Sequence, residues 1–172
     1  MLQYLLQKLI SEELYAALFY EAAANMLLCK GFKTEAKEYR DIAREELEHV
    51  EELTELVYKF NLQADFTITD TRNVSTTNWQ TVEDLVNFAI VLEQEAINSY
   101  VDAISKVDPI NTSVIEVFNH ILEEEREHKI DFEQMKSDFI KGDIRDFKCS
   151  IQSGSSCNTS QALVHLIKNY FI

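Results

Sequence analysis

The stretch that decides the fold is REELEH at residues 44–49, together with its counterpart EEEREH at residues 123–128. Both contain Glu-x-x-His, in which a carboxylate and an imidazole three residues apart share one face of a helix. In both, the pair lies in the middle of an apolar stripe with the three- and four-residue steps of a helix that faces a core. The stripes are Tyr39, Ile42, Glu46, His49, Leu53, Leu56 and Phe60, and Val114, Phe118, Ile121, Glu125, His128, Phe132, Met135 and Phe139.

Two further helical stripes each contain a single Glu, followed seven residues later by a Tyr. The interval from Glu13 to Glu46 is 33 residues and that from Glu93 to Glu125 is 32, so the two halves of the chain resemble copies of one helical hairpin. Four helices are therefore predicted to bring four carboxylates and two imidazoles to one level of a bundle. The additional stripes are Leu6, Leu9, Glu13, Ala16, Tyr20, Ala23 and Leu27, and Val82, Val86, Ala89, Glu93, Ala96, Tyr100 and Ile104.

Buried carboxylates in this arrangement need a positive partner. Each unpaired buried charge is costly, four together repel one another, and the stripes contain no Lys or Arg at that level. Two divalent cations would balance four carboxylates and leave both imidazoles neutral. Mixed oxygen and nitrogen ligation favours iron or manganese over calcium or a structural zinc. The predicted ligands are Glu13, Glu46, His49, Glu93, Glu125 and His128; the alternative is that the stripes are wrongly phased and these residues are solvated.

The rest of the sequence predicts an all-α, four-helix bundle. Gly31, Pro109 and Gly142 mark helix ends, and Thr81-Val-Glu-Asp84 is a capping-box-like helix start. The polar stretch between the second and third helices is too long for a hairpin turn and indicates a long crossover along the bundle. Helices are expected at about 3–30, 34–60, 81–109 and 113–142. Residues 1–142 form the bundle in this assignment, and residues 143–172 form a linker and a short C-terminal helix of the same domain.

Composition and charge exclude several classes of protein. The 172 residues include 30 acidic and 16 basic side chains, a net charge of −14, which argues against nucleic-acid binding. No apolar stretch reaches 18 residues, so we expect no membrane segment and a cytoplasmic protein. The cysteines, Cys29, Cys149 and Cys157, are odd in number and lack zinc-like spacing. Free thiols in a reducing compartment are favoured, with a Cys149–Cys157 bridge as the alternative.

With these motifs the chain resembles the ferritin-like di-iron carboxylate proteins, most closely the bacterioferritin and ferritin branch. The resemblance extends over Leu5 to Phe139. It implies two iron ions per chain, with manganese or zinc able to take the same ligands in a crystal. It also implies that Glu13 and Glu93 are terminal ligands, that Glu46 and Glu125 bridge the ions, and that His49 and His128 each cap one ion. Tyr20 takes the position of a tyrosine that hydrogen-bonds a ligand or donates an electron, and is the candidate catalytic residue.

The sequence differs from several proteins of this kind at positions that distinguish their cofactors and activities. Bacterioferritins bind haem through a Met just after the bridging Glu of the second helix, and this chain has Leu47 there, so haem is not expected. Rubrerythrin-like peroxidases add a Glu where this chain has Ala96, and often carry a Cys-x-x-Cys module that is missing here. The Dps branch builds its iron site between subunits and lacks this full set of ligands within one chain.

The function implied by the resemblance is a ferroxidase that oxidises Fe(II) with oxygen or peroxide and stores the iron in a homo-oligomeric cage. One alternative is a rubrerythrin-like or Dps-like di-iron peroxidase that protects against oxidative stress. A second alternative is a helical scaffold protein without activity. Glu45, Glu48, Glu52 and Glu55 lie off the core stripe, where they form a solvated face or, less favoured, an acidic surface that concentrates Fe(II).

Overall fold

The computed structural model describes residues 1–69 and 81–141. It contains the four helices α1 (Leu2–Cys29), α2 (Lys33–Lys59), α3 (Val82–Lys106) and α4 (Thr112–Lys141). Each bound lies within three residues of the predicted one, so the all-α class and the four-helix bundle are confirmed. The linker and short C-terminal helix predicted for residues 143–172 lie outside the described residues.

The helix ends follow the local sequence signals. α1 ends at Cys29, just before Gly31, whose φ of +90° lets the Phe32 backbone N–H donate back to the Leu27 carbonyl oxygen at 3.0 Å. Thr81 caps α3, since its hydroxyl accepts a bond from the Asp84 N–H while the Asp84 carboxylate accepts one from the Thr81 N–H. The predicted capping box is thus present.

The directions of the helices require the crossover that was predicted. α1 packs on α2 and α3 packs on α4 as two helical hairpins, each with a short connection. Between hairpins, Tyr20 contacts Glu93 whereas Glu13 contacts Tyr100, so α1 and α3 are antiparallel. α2 and α4 are antiparallel as well, because His49 contacts Glu124 whereas Glu45 contacts His128. α2 and α3 therefore point the same way, and the chain must return along the bundle between them.

The first part of this crossover lies beside α1. The Thr69 backbone N–H donates to the Ser11 hydroxyl at 2.7 Å, and the Gln7 side chain donates to the Gln63 carbonyl at 3.5 Å. Ser11 is buried, so the contact with Thr69 gives its hydroxyl a hydrogen-bond partner.

A polar layer divides the core into two apolar clusters. One cluster includes Tyr20, Tyr39 and Phe132, and the other includes Leu53 and Phe118. Apart from Ser11, the buried polar residues of the described part of the chain all belong to this layer: Glu13, Glu46, His49, Glu93, Glu125 and His128. The burial of these six residues agrees with the predicted phasing of the four stripes. Within the described ranges no helix is both long and apolar enough to cross a membrane.

The expectation that all three cysteines are free thiols is wrong for Cys29, which is disulfide-bonded. Cys29 lies exposed at the end of α1. Spacing along the sequence carries no information about which sulfur atoms meet in space. Cys149 and Cys157, and with them the alternative bridge, lie outside the described residues.

Candidate metal centre

The six predicted ligands meet at one place in the bundle. Their nitrogen and oxygen atoms form two groups, and within each group the ligand atoms lie within 4.8 Å of one another. Glu46 and Glu125 occur in both groups. The first group is completed by Glu13 and His49, and the second by Glu93 and His128. This overlap is the arrangement that two neighbouring ions sharing two carboxylates would need.

The distances from the imidazole nitrogens to the shared carboxylates suit ligands of a common ion, whereas those to the unshared carboxylates are longer. Two ligand atoms about 2.1 Å from one ion, at angles of roughly 90–110°, are about 3.0–3.4 Å apart. His49 Nδ1 lies 3.2 Å from Glu46 Oε2, 3.1 Å from Glu125 Oε1 and 3.7 Å from Glu13 Oε2. In the second group His128 Nδ1 lies 3.4 Å from Glu46 Oε1 and 3.9 Å from Glu93 Oε2.

Several of these atoms lack the hydrogen bonds that buried polar atoms normally make. Within the described residues, Glu46 Oε1, Glu125 Oε1 and His128 Nδ1 are all buried without a hydrogen-bond partner. Leaving such groups unsatisfied costs about 1–3 kcal/mol each, and more when they are charged. A cation between them would satisfy all three at once. The donor set, oxygen-rich with one imidazole per group, fits iron or manganese.

Two carboxylates that were not predicted as part of the centre contact the imidazoles on the Nε2 side, away from the other ligands. His49 Nε2 lies 3.0 Å from Glu124 Oε2, and His128 Nε2 lies 2.8 Å from Glu45 Oε2. Each carboxylate comes from the helix opposite the imidazole and directly precedes a shared Glu in the sequence. Such a partner leaves Nδ1 facing the centre and fixes the ring orientation. Glu45 is therefore not merely part of a solvated face, although its side chain is 50% exposed.

A symmetric pair of tyrosines contacts the two unshared carboxylates. The Tyr20 hydroxyl donates to Glu93, and the Tyr100 hydroxyl donates to Glu13 Oε1 at 2.5 Å. Both tyrosines are fully buried. Tyr20 alone was predicted to act at the centre, yet the same Glu-to-Tyr interval on the third helix also predicts Tyr100.

Burial dominates the protonation of the carboxylates. Desolvation, reinforced by the charge of Glu46, raises the pKa of Glu13 to about 8 and that of Glu125 to about 7. The pKa of Glu93 is also raised, first by burial and then by the charges of Glu125 and Glu46. Glu46 differs, because the nearby imidazoles of His128 and His49 outweigh its burial and lower its pKa. Without metal, Glu46 is therefore the carboxylate of the centre that most readily carries a negative charge.

The pKa values of both imidazoles are raised, whereas burial alone would lower them. Desolvation favours neutral His128, but its contacts with Glu45 and Glu46 outweigh that effect and raise its pKa to about 11. The pKa of His49 is raised in the same way, by four surrounding carboxylates against desolvation. Without metal, the imidazolium cations balance part of the negative charge of the buried carboxylates, which two divalent ions would otherwise balance.

The fold and the centre together define a class: four-helix-bundle proteins with a buried carboxylate–histidine centre able to hold metal ions. The sequence matches the Ferritin-like domain family over residues 3–139, and the chain belongs to that family. No curated protein matches the sequence.

Proposed function

We propose that the protein is a ferroxidase that binds two Fe(II) ions per chain as substrate and stores the ferric product. One observation carries the proposal: two overlapping groups of buried ligands share Glu46 and Glu125 and contain polar atoms without hydrogen-bond partners. In this proposal Glu13 and Glu93 are the terminal ligands. His49 and His128 each bind one ion through Nδ1.

The reaction is a transfer of two electrons from two Fe(II) ions to one oxidant molecule. With dioxygen, two electrons and two protons give hydrogen peroxide; with hydrogen peroxide, two electrons and two protons give two water molecules. The Fe(III) products are the material to be stored.

The side chains of the centre release protons when metal binds and keep the ligands in position. Metal entry displaces the protons that Glu13 and Glu125 keep because of burial, and also the Nδ1 protons of the imidazoles. Glu124 and Glu45 accept hydrogen bonds from the Nε2 atoms throughout, so the rings keep their orientation. Tyr20 and Tyr100 donate hydrogen bonds to the unshared carboxylates, and holding its ligand in this way is the role proposed for Tyr20 in the reaction.

Storage and assembly extend the proposal beyond one chain. We propose a cytoplasmic homo-oligomeric cage, whose net charge of −14 per chain would attract Fe(II). Glu45 and Glu124 extend from the exposed side of α2 and α4 to the imidazoles. The same centre in a small oligomer would instead act as a peroxidase. A bundle that never binds metal would be a scaffold.

Anaerobic titration of the metal-free protein with Fe(II), followed by addition of oxygen or peroxide, tests these alternatives. Particle mass is measured in parallel. The ferroxidase predicts two ions per chain, rapid ferric absorbance and further uptake on a cage-sized particle. Saturation at two ions on a small particle, with turnover by peroxide alone, would identify the peroxidase. Unchanged binding in Glu46→Ala and Glu125→Ala, relative to the exposed control Glu127→Ala, would refute the metal centre.

A further inference from the structure

An outer groove runs between α1, α2 and the chain that follows α2. Its volume is about 440 Å³, which lies within the range of about 300–1,000 Å³ that is typical of pockets for small molecules. Leu14, Leu47 and Val50 form its floor. Because Leu14 and Val50 are buried and Leu47 is half-buried, a ligand in the outer groove would rest on an apolar surface.

The outer groove is separate from the metal centre. Its three floor residues each directly follow a predicted metal ligand in the sequence, namely Glu13, Glu46 and His49. Successive residues of a helix point about 100° apart, so the floor side chains face away from the ion positions. None of the six predicted ligands lines the outer groove. A molecule bound there would therefore not be a ligand of the metal ions.

Two exposed aromatic side chains complete the walls of the outer groove. Tyr58 belongs to the end of α2 and is 64% exposed, and Phe66 belongs to the following chain and is 44% exposed. The Thr69 backbone N–H donates to the Ser11 hydroxyl, which holds the segment that carries Phe66 beside α1. Exposed aromatic rings beside an apolar floor are typical of a surface that binds a partner or ligand.

The charge of the outer groove is negative. Glu51 and Glu55 both line it, lie one turn apart on α2 and are exposed. No Lys, Arg or His is found among the described residues of its lining, and in the same part of the chain neither carboxylate makes an ion pair. Like charges four residues apart on a helix repel each other. A cation between these two carboxylates would therefore be stabilised, whereas an anion would be repelled.

We propose that the outer groove binds an organic cation that carries apolar groups, such as a quaternary ammonium or phosphonium ion. The apolar groups lie on the floor, and the positive charge lies beside Glu51 and Glu55. Tyr58 and Phe66 add attraction, because the faces of aromatic rings attract cations. The proposal does not rest on the ferroxidase function, since the outer groove contains none of the predicted metal ligands.

Tetraphenylphosphonium and tetraphenylborate test the proposal, because these ions have nearly the same size and apolar surface but opposite charges. Equilibrium dialysis of the metal-free, full-length protein measures the binding of each ion. We expect one tetraphenylphosphonium ion per chain, and binding of tetraphenylborate that is weaker by about tenfold or more. Tetramethylammonium has the charge without the large apolar surface, and it should also bind about tenfold more weakly than tetraphenylphosphonium, or weaker still.

Variants of the lining locate the bound ion. Glu51→Gln combined with Glu55→Gln should weaken tetraphenylphosphonium binding about tenfold and reduce the preference for the cation. Glu116→Gln combined with Glu127→Gln is the matched control, since it removes the same charge from exposed positions on α4. Phe66→Ala should weaken binding by about threefold or more, relative to Tyr4→Ala, which removes an exposed aromatic ring outside the outer groove.

Three outcomes would overturn the inference. Equal binding of the two tetraphenyl ions would show that the charge of the outer groove has no effect. An equal loss of binding in the control pair on α4 would show that the net charge of the chain attracts the cation without a specific site. If wild-type protein binds no tetraphenylphosphonium and Tyr58→Lys lowers the particle mass, a second copy of the chain covers the outer groove. Because metal is absent throughout, none of these results bears on the ferroxidase proposal.

Discussion

Loading the metal-free protein with a divalent ion should expel protons from the centre. The pKa values of Glu13, Glu125 and His128, about 8, 7 and 11, all lie at or above neutral pH, so these groups together hold on the order of two protons at pH 7. Metal ligation requires all three groups to be deprotonated. The release is therefore expected to exceed about two protons per chain, and His49 and Glu93, whose pKa values are also raised, add to it.

The number of protons released also depends on pH. Between pH 7 and 9 the metal-free protein loses the protons of Glu13 and Glu125, so the number released on binding should fall by about one. Anaerobic calorimetric titration with Mn(II), in buffers of different ionisation enthalpy, measures this number directly. Glu127→Gln on the exposed side of α4 is the matched control and should behave as wild type. Two ions bound with fewer than one proton released at pH 7 would refute the charge balance proposed for the centre.

Three further predictions address the neighbours of the centre and its pH dependence. Glu124→Gln should weaken metal binding about 10–100-fold in calorimetry, because it loses the charged partner of the His49 ring; an equal loss in exposed Glu116→Gln would contradict this. Tyr100→Phe should lower the unfolding free energy of the metal-free protein by about 1–3 kcal/mol in urea denaturation, because the buried Glu13 oxygen loses its donor; unchanged stability would count against the bond. The melting temperature of the metal-free protein should fall as pH rises from 5 to 9. The folded pKa of Glu13, about 8, exceeds the unfolded value, so the folded state binds more protons there; a rise over that interval would contradict the sign.

The fold was predictable because each stripe combines helical spacing with a charge at the same level. A lone Glu at one stripe position has many explanations, but Glu13 and Glu93 repeat at matched distances from the two Glu-x-x-His pairs. Burial of all six predicted ligands follows from that repetition. The crossover was predictable as well, since the stretch after α2 is far longer than a turn between antiparallel helices needs.

What the sequence did not reveal depends on contacts between helices. Glu124 and Glu45 lie off the apolar stripes, and only the packing of α2 on α4 brings them to the imidazoles. The disulfide of Cys29 likewise depends on a meeting in space. Tyr100 was missed for a different reason, because a buried tyrosine in a stripe is satisfactorily explained by packing until its hydroxyl is seen to reach Glu13.

The division of ligands between the two hairpins has a consequence for the order of folding. Each hairpin can form from contacts close in sequence, whereas docking requires closure of the loop between α2 and α3, at about 3 kcal/mol of chain entropy for roughly twenty residues. Neither hairpin holds a complete ligand group, because Glu46 comes from one and Glu125 from the other, and both groups contain both residues. A bound ion therefore acts as a cross-link between the hairpins. It stabilises the docked state against separation, as a disulfide would, but leaves the two hairpins free to form independently.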